Sequence, residues 1–297
     1  MPLRWLVETE WLAVNLDRAD LRIVDVRGDT LPPVELGSPI YVAKPEAYAL
    51  SHIPGAVFVD WTKDITDPDD PVPVQIASPE RFAEAMSRIG IGPETFIVAY
   101  DDHNNIMAAR LWWALRYYGH DNVAVLNGGW PKWSNEGRSM ISDVPQIARA
   151  AFIPHIRPEL RKVADQILPD ATAGALLIDN RTPTDFTGET QRAKRGGHIP
   201  GALSLPTATL LDAEKSVIAQ DALQAKFADA GLPTDNPDQP LITYCNGGVN
   251  ASLVALALSE AGYNNVAVYD GSWNEWGNDP ARPIEKTFIP TEPPTNS

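Results

Sequence analysis

The chain has 297 residues, which suits two domains of roughly 100–200 residues each, and its 24 Lys and Arg against 39 Asp and Glu give a net charge of −15. This acidic balance argues against a nucleic-acid-binding protein, which needs a basic surface for the phosphate backbone. The single cysteine, Cys245, excludes an internal disulfide and a zinc site of several thiolates, and no apolar run is long enough to span a membrane.

Short apolar runs alternate with helical stretches along the chain. The runs are 21–26, 96–100, 176–179 and 241–244, and the helical stretches are 108–118 and 249–261. Short apolar runs are typical of buried parallel strands, and the glycine at 262 is a common helix stop. The alternation predicts an α/β fold with helices on the faces of a parallel sheet.

The chain contains an internal repeat, because three short motifs occur twice in the same order. They are Ile-Val-Asp-Val-Arg at 23–27 with Leu-Ile-Asp-Asn-Arg at 177–181, His-Ile-Pro-Gly-Ala at 52–56 and again at 198–202, and Gly-Gly-Trp at 128–130 with Gly-Ser-Trp at 271–273. The offset falls from 154 positions for the first motif to 146 for the second, so the first copy carries about eight extra residues between them. We predict two tandem domains at 1–137 and 161–297, joined by a linker over 138–160.

Cys245 lies at a distinctive place in the second copy. It follows the apolar run 241–244 and precedes a glycine-containing loop and a helix, and its counterpart in the first copy is Asp101. Ligands of open α/β sheets bind beyond the carboxyl ends of the strands, and a glycine loop entering a helix presents backbone N–H groups and a partial positive charge. A lone cysteine is usually a small buried hydrophobic residue, but this setting favours a nucleophilic thiolate or an anionic persulfide. The first copy, without a comparable nucleophile, is expected to act as scaffold and cleft wall.

These motifs resemble those of the tandem-domain rhodanese family of sulfurtransferases over essentially the whole chain. The resemblance rests on Tyr48 with the motif at 52–56, on the segment 266–276, and on the loop that begins at Cys245, which is similar to the family pattern Cys-x-x-Gly-Val-Thr-Ala. It implies two rhodanese-like domains, the first non-catalytic, with Cys245 as the nucleophile. The active-site loop would comprise Cys245, Asn246, Gly247, Gly248, Val249, Asn250 and Ala251.

The resemblance also implies a reaction and its partners. Cys245 would take a sulfane sulfur from a small anionic donor, thiosulfate or 3-mercaptopyruvate, and pass it as a persulfide to cyanide or to a thiol such as thioredoxin or a glutathione-like thiol. No metal or cofactor is expected. The N-terminus lacks the apolar stretch of a secretory signal, so the expected protein is a cytoplasmic monomer that binds neither nucleic acid nor membrane.

Two loop positions depart from the family patterns. Members that prefer thiosulfate commonly carry basic residues after the cysteine, and those that prefer 3-mercaptopyruvate more often carry glycine and then a small hydroxyl residue. Asn246 and Gly247 match neither pattern. Because the hydroxyl is missing, and because a small oxyanion can be held by backbone N–H groups and arginines, the sequence favours thiosulfate and leaves 3-mercaptopyruvate as the alternative.

Binding an anionic donor requires local cations in this acidic chain. Asp185 stands where the family often has a substrate-holding arginine. Arg192 and Arg195 are the expected substitutes, because a guanidinium holds a carboxylate or sulfonate in a bidentate way. His52, in the first-domain motif that borders the cleft in the family, is a third candidate.

Two other functions compete with sulfur transfer. Phosphatases of the same fold need Cys-x5-Arg, but Ala251 occupies the arginine position, which disfavours that chemistry. A non-catalytic persulfide carrier or interaction module, loaded by a partner enzyme, stays open because of the neutral loop and Asp185.

Overall fold

The computed structural model describes residues 5–31 and 39–287, and the helices and strands given below lie within these ranges. The strands are β1 (Leu6–Val7), β2 (Leu21–Asp25), β3 (Gly28–Leu31), β4 (Ile40–Ala43), β5 (Val57–Phe58), β6 (Phe96–Tyr100), β7 (Val123–Leu126), β8 (Arg161–Lys162), β9 (Leu176–Asp179), β10 (Leu203–Ser204), β11 (Leu241–Tyr244) and β12 (Val266–Tyr269). The helices are α1 (Thr9–Ala13), α2 (Pro45–Leu50), α3 (Pro79–Arg88), α4 (Ile106–Tyr117), α5 (Gly129–Asn135), α6 (Ala164–Thr172), α7 (Pro183–Thr187), α8 (Gln220–Asp229), α9 (Val249–Glu260) and α10 (Ser272–Trp276). Single 3-10 turns lie at Pro158–Leu160 and Thr207–Leu210.

The two halves of the chain repeat one topology. The first sheet has the strand order β1-β7-β6-β2-β5 and the second has β8-β12-β11-β9-β10, which is the same order in equivalent strands. All neighbouring strands in both sheets are parallel. The predicted α/β fold, with two tandem domains that each contain a parallel sheet flanked by helices, is confirmed. The predicted strands at 21–26, 96–100, 176–179 and 241–244 are β2, β6, β9 and β11.

The central helices explain why the two domains share a core. Helices α4 and α9 pack against each other across the domain boundary, and each also packs on the sheet of its own domain. Eleven of the twelve residues of α4 are buried, and α9 is buried along most of its length. A helix that is apolar on all sides needs neighbours on all sides, which the partner helix and the sheet provide.

The segment that carries the extra residues of the first copy contains an antiparallel hairpin, in which β3 pairs with β4. The second domain has no strand at the equivalent place, between β9 and α7, in the part that the structure describes. The hairpin is anchored at Trp61, a fully buried side chain whose Nε1 donates to the Val42 carbonyl at 3.0 Å. The insertion that the offsets indicated therefore contains a pair of strands that forms a separate sheet, outside the first five-stranded one.

The segment between the domains has no helix or strand from 136 to 157. It is fixed at points along its length: Ile141 pairs with His52 in an isolated bridge, and Arg157 forms a 2.7 Å ion pair with Asp121. The boundaries 1–137 and 161–297 and the linker 138–160 remain predictions. Within the ranges described, no helix is long and apolar enough to cross a membrane.

Candidate active site

Cys245 lies directly after β11, at the carboxyl edge of the second sheet, and is 2% exposed. Its backbone is held by the start of α10: the Cys245 N–H donates to the Ser272 Oγ at 3.1 Å, and the Cys245 carbonyl accepts from the Trp273 N–H at 3.0 Å. The next carbonyl, of Asn246, accepts from the Asn274 N–H at 2.7 Å. These bonds fix the loop against a neighbouring element, so the thiol is presented from a rigid backbone.

The loop that follows leaves a set of backbone donors unused. Gly248 has a left-handed backbone (φ 77°) and turns the chain into α9, whose first hydrogen bond runs from the Ser252 N–H to the Gly248 carbonyl at 3.1 Å. None of the described residues accepts a hydrogen bond from the N–H groups of residues 246–251. Successive free N–H groups at the start of a helix form an anion-binding concavity.

The first domain shows what such a loop holds. The Asp101 side chain turns back into its own loop, where Oδ1 accepts from the N–H groups of His103 (2.8 Å) and Asn105 (3.0 Å) and Oδ2 accepts from the Ala108 N–H at 2.9 Å. Burial raises the pKa of Asp101 and the three N–H donors oppose that rise. Both oxygens accept from N–H groups, which is the pattern of an ionised carboxylate. The loop of this fold therefore accommodates a negative group at the position that Cys245 occupies in the second domain.

A cleft of about 410 Å³ opens over Cys245 between the two domains. From the second domain its lining includes Cys245, Asn246, Gly247, Val249, Asn250, Asn180, Arg181, Thr182, Asp185, Arg192, Thr207, Asp212 and Lys215. From the first domain it includes Thr30, Leu31, Pro39, Tyr41, His103, Asn104 and Ile106. Of the seven predicted loop residues, five line the cleft, and Gly248 and Ala251 do not.

Arg192 is the predicted donor-binding residue that the structure places at the cleft. Its Nε donates to Asp185 Oδ1 at 3.1 Å, and the other carboxylate oxygen accepts from the Thr182 Oγ1 at 2.7 Å. Asp185 is 2% exposed, so the carboxylate works as a buried anchor for the guanidinium. The Nη groups of Arg192 donate to none of the described residues, which leaves them available to a bound anion.

Arg195 and His52 do not line the cleft, and we propose a donor-binding role for neither. The Arg195 guanidinium donates to the carbonyls of Gly277, Trp276, Arg282 and Asp279, which binds it to the segment after α10. The His52 ring is fully buried, and its nitrogens lie 2.8 Å from the Tyr48 carbonyl and 3.2 Å from the Asp143 carbonyl.

The equivalent histidine of the second domain behaves in the same way. The His198 Nδ1 lies 2.8 Å from the Phe186 carbonyl, and its ring stacks on Phe186 with centroids 3.7 Å apart. A residue that ties backbone segments together in both copies is a structural residue. The sequence signal for this structural role is that the His-Ile-Pro-Gly-Ala motif occurs in both copies, although only one copy contains a cysteine.

Three lining residues were not identified from the sequence as donor-site residues: Arg181, Lys215 and Tyr41. Arg181 forms an ion pair with Asp179 at 2.5 Å at the end of β9 and also lines the cleft. Lys215 forms no ion pair with any described residue. Tyr41 comes from the hairpin, and its hydroxyl accepts from the Asn274 Nδ2 at 3.3 Å.

The rhodanese-like domain family matches residues 8–136 and 161–279. The chain belongs to the rhodanese family. It is 34% identical over 291 residues to the 3-mercaptopyruvate sulfurtransferase of Escherichia coli K12, with 96% of this chain and 99% of that protein covered. It is 32% identical over 293 residues to the thiosulfate sulfurtransferase of Corynebacterium glutamicum, with 94% and 90% covered.

A third rhodanese relative is the sulfur carrier protein TtuD of Thermus thermophilus, 32% identical over 295 residues, with 95% of this chain and 96% of that protein covered. Among solved structures, the crystal structure of SseA from Escherichia coli, which represents the 3-mercaptopyruvate sulfotransferases, matches with a TM-score of 0.78 at 32% identity. The match covers 91% of this chain and 99% of SseA. The predicted membership of the tandem-domain rhodanese family is confirmed.

Proposed function

We propose that this rhodanese is a sulfurtransferase in which Cys245 carries a sulfane sulfur, as a persulfide, from a small anionic donor to cyanide or a thiol. One observation carries the proposal. The N–H groups of residues 246–251 follow the cysteine and donate to no described residue, and the same loop of the first domain uses its N–H groups to hold the Asp101 carboxylate. An enzyme of this kind is supported by relatives that are named sulfurtransferases and that match this chain over nearly the full length of both proteins.

The transfer proceeds in two displacements. The Cys245 thiolate attacks the outer sulfur of the donor, an S–S bond forms at Sγ, and the donor's own bond to that sulfur breaks with its electron pair on the leaving group. An acceptor thiolate or cyanide then attacks the outer sulfur and releases the Cys245 thiolate. Negative charge sits on the outer sulfur between the two steps, where preorganised N–H groups stabilise it most effectively. A covalent intermediate of this type gives ping-pong kinetics.

Arg192 supports the choice of a small anionic donor. Asp185 holds the Nε of Arg192, and Arg192 lines the cleft that contains Cys245, so its Nη groups can bind one end of a sulfonate or carboxylate whose sulfur lies over Cys245. Thiosulfate, which the sequence favoured, suits this arrangement because its leaving group, sulfite, departs as an anion. The alternative donor, 3-mercaptopyruvate, is favoured by the Tyr41 hydroxyl, which lines the same cleft and can give a proton to a carbon leaving group.

A persulfide carrier that serves a partner protein is the second candidate. The cleft of about 410 Å³ is larger than either small donor, which leaves room for the thiol-bearing group of a partner. The match to a sulfur carrier protein supports the same candidate. The cytoplasmic location and the monomeric state remain predictions.

Intact-mass spectrometry of the full chain tests these functions together. After incubation with thiosulfate or 3-mercaptopyruvate and removal of the donor, the wild type gains one sulfur atom and loses it again on addition of cyanide, with thiocyanate formed. Cys245→Ser gains none and forms no thiocyanate, although its circular dichroism spectrum is unchanged. Thiocyanate formation retained by Cys245→Ser would contradict the proposal, and loading that needs a protein donor would favour the carrier.

A further inference from the structure

The hairpin of the first domain reaches the active-site loop of the second. Tyr41 on β4 lines the same cleft as Cys245, and its hydroxyl oxygen accepts from the Asn274 Nδ2 at 3.3 Å. The Asn274 backbone in turn donates to the Asn246 carbonyl at 2.7 Å. The inserted element thus contacts the residues that hold the cysteine loop.

The position of Tyr41 is fixed by packing. Tyr41 pairs with Thr30 in the hairpin ladder, and its ring meets the buried Trp61 edge to face, with centroids 5.8 Å apart. Lys44, just after β4, ties the base of the hairpin to Asp102 at 2.9 Å and to Asp29 at 3.6 Å. The tyrosine is therefore presented from a rigid scaffold, as a group that acts on a bound molecule needs to be.

The hydroxyl occupies the place where a side chain at position 247 would lie. A Cβ added to Gly247 would be 3.0 Å from the Tyr41 oxygen, 2.9 Å from the Asn274 Nδ2 and 2.6 Å from the Val74 Cγ2. The backbone at 247 is not left-handed, so the glycine is there for space and not for conformation. The Tyr41 hydroxyl of the first domain lies in that space.

The Tyr41 phenol is a hydrogen-bond donor whose proton no described residue accepts. Burial raises the pKa of Tyr41 to about 12, and the nearby charge of Cys245 adds to the rise, so the hydroxyl keeps its proton at neutral pH. Its oxygen accepts from Asn274, and no residue in the described ranges accepts its proton. The free O–H is thus available to a molecule bound over Cys245.

We propose that Tyr41 is a catalytic residue that donates its proton to a carbon leaving group, so that the site serves a β-mercapto-α-keto acid such as 3-mercaptopyruvate. This inference rests on the proposed function of Cys245. The Cys245 thiolate attacks the sulfur of the thiol donor, the S–S bond forms, the C–S bond breaks, and its electron pair becomes the enolate of pyruvate. Tyr41 gives its proton to the enolate and recovers one from the S–H of the new persulfide, which leaves pyruvate and a persulfide anion.

Sulfur transfer from thiosulfate needs no proton donor for the leaving group. Its leaving group is sulfite, which departs with the electron pair of the broken S–S bond and needs no proton at neutral pH. Removal of the Tyr41 hydroxyl is therefore expected to separate the two donors. General acid catalysis by a positioned side chain typically contributes about 10²–10⁴-fold, which sets the size of the effect.

The test compares both donors in Tyr41→Phe, with cyanide as acceptor. We expect kcat/KM for 3-mercaptopyruvate to fall by about 10²-fold or more, while kcat/KM for thiosulfate stays within about twofold. Pyruvate formation in a single turnover should show a solvent deuterium isotope effect in the wild type, whereas sulfite formation from thiosulfate should show none. Tyr263→Phe removes a hydroxyl that donates to the Pro233 carbonyl at 3.0 Å, far from the cleft, and is the matched control with unchanged kinetics.

The outcomes distinguish this proposal from the function on which it rests. Full activity of Tyr41→Phe with 3-mercaptopyruvate, an equal loss with both donors, or a wild type that uses only thiosulfate would each overturn the role of Tyr41 while leaving Cys245 as the nucleophile. If the wild type transfers sulfur from neither donor, or Cys245→Ser retains transfer, the proposed function itself fails.

Discussion

Replacing Gly247 by serine restores the small hydroxyl that the active-site loop lacks in comparison with the 3-mercaptopyruvate pattern. A comparison of motifs alone would therefore predict a gain of 3-mercaptopyruvate activity. The structure predicts a loss of stability and of activity. The added Cβ would meet the Val74 Cγ2 at 2.6 Å and the Asn274 Nδ2 at 2.9 Å, both inside ordinary contact distance.

The size of the effect follows from how well those neighbours are held. Val74 is 6% exposed, and the Asn274 backbone is bonded to Asn246 at 2.7 Å, so neither can retreat without disturbing the domain interface. Overpacking of a close-packed site costs about 1–3 kcal/mol. We expect the free energy of unfolding of Gly247→Ser to fall by about 2 kcal/mol, a factor of about 30 in the folding equilibrium.

Urea unfolding of the full chain, followed by tryptophan fluorescence, measures this change. Gly92→Ser is the matched control, because a Cβ there would meet only ordinary contacts at 3.6 and 3.9 Å. Adding Val74→Ala to Gly247→Ser should recover about 1 kcal/mol relative to the sum of the single changes, since it removes the nearest atom. A Gly247→Ser variant as stable as the wild type, and more active with 3-mercaptopyruvate, would refute the reasoning about space at this position.

Two further predictions concern charged groups at the cleft and at the domain interface. Arg192→Leu should raise KM for the anionic donor about tenfold, whereas Arg195→Leu should leave KM unchanged and lower the urea midpoint, because that guanidinium binds four carbonyls of the chain itself. Asp270→Asn should lower the free energy of unfolding by about 3–5 kcal/mol, since the fully buried carboxylate accepts from Arg110 at 2.5 Å and Arg161 at 3.0 Å and its loss leaves Arg110 buried and unpaired. Asp165→Asn, which removes an exposed partner of Arg282, is the control and should have no measurable effect on the urea midpoint. Equal KM shifts for the two arginine variants, or an Asp270→Asn variant as stable as its control, would contradict these predictions.

The sequence predicted the repeat and the place of Cys245 because both follow from short-range order. Apolar runs predict strands, and matching motifs at a nearly constant offset predict two copies of a domain. The offset between equivalent residues of the two copies is 144 at the strand ends, Tyr100 and Tyr244. It is 143 at the first residues of the helices α4 and α9. That step lies within the loop itself, since the left-handed Asn105 of the first domain corresponds to Gly248 of the second.

What the sequence could not predict depends on direction and on contacts between distant segments. Arg192 and Arg195 are three positions apart in an irregular segment, so spacing cannot say which one faces the cleft. Asp185 was expected to weaken the site, but it orients Arg192 at 3.1 Å. Tyr41 lies in an insertion without a counterpart in the second copy, and only the folded hairpin places it 3.0 Å from the position of a side chain at Gly247.

The charge of −15 shapes how this site attracts an anion. The cleft-lining Arg181 and Arg192 each form an ion pair with a buried aspartate, Asp179 and Asp185, so their net attraction is partly cancelled. The N–H groups of residues 246–251 have no such partners among the described residues. Their dipoles act over a few ångströms and are little screened by salt when the loop is covered. Selection of the donor therefore depends on fit at the loop, at Arg192 and at Tyr41, more than on long-range attraction into an acidic protein.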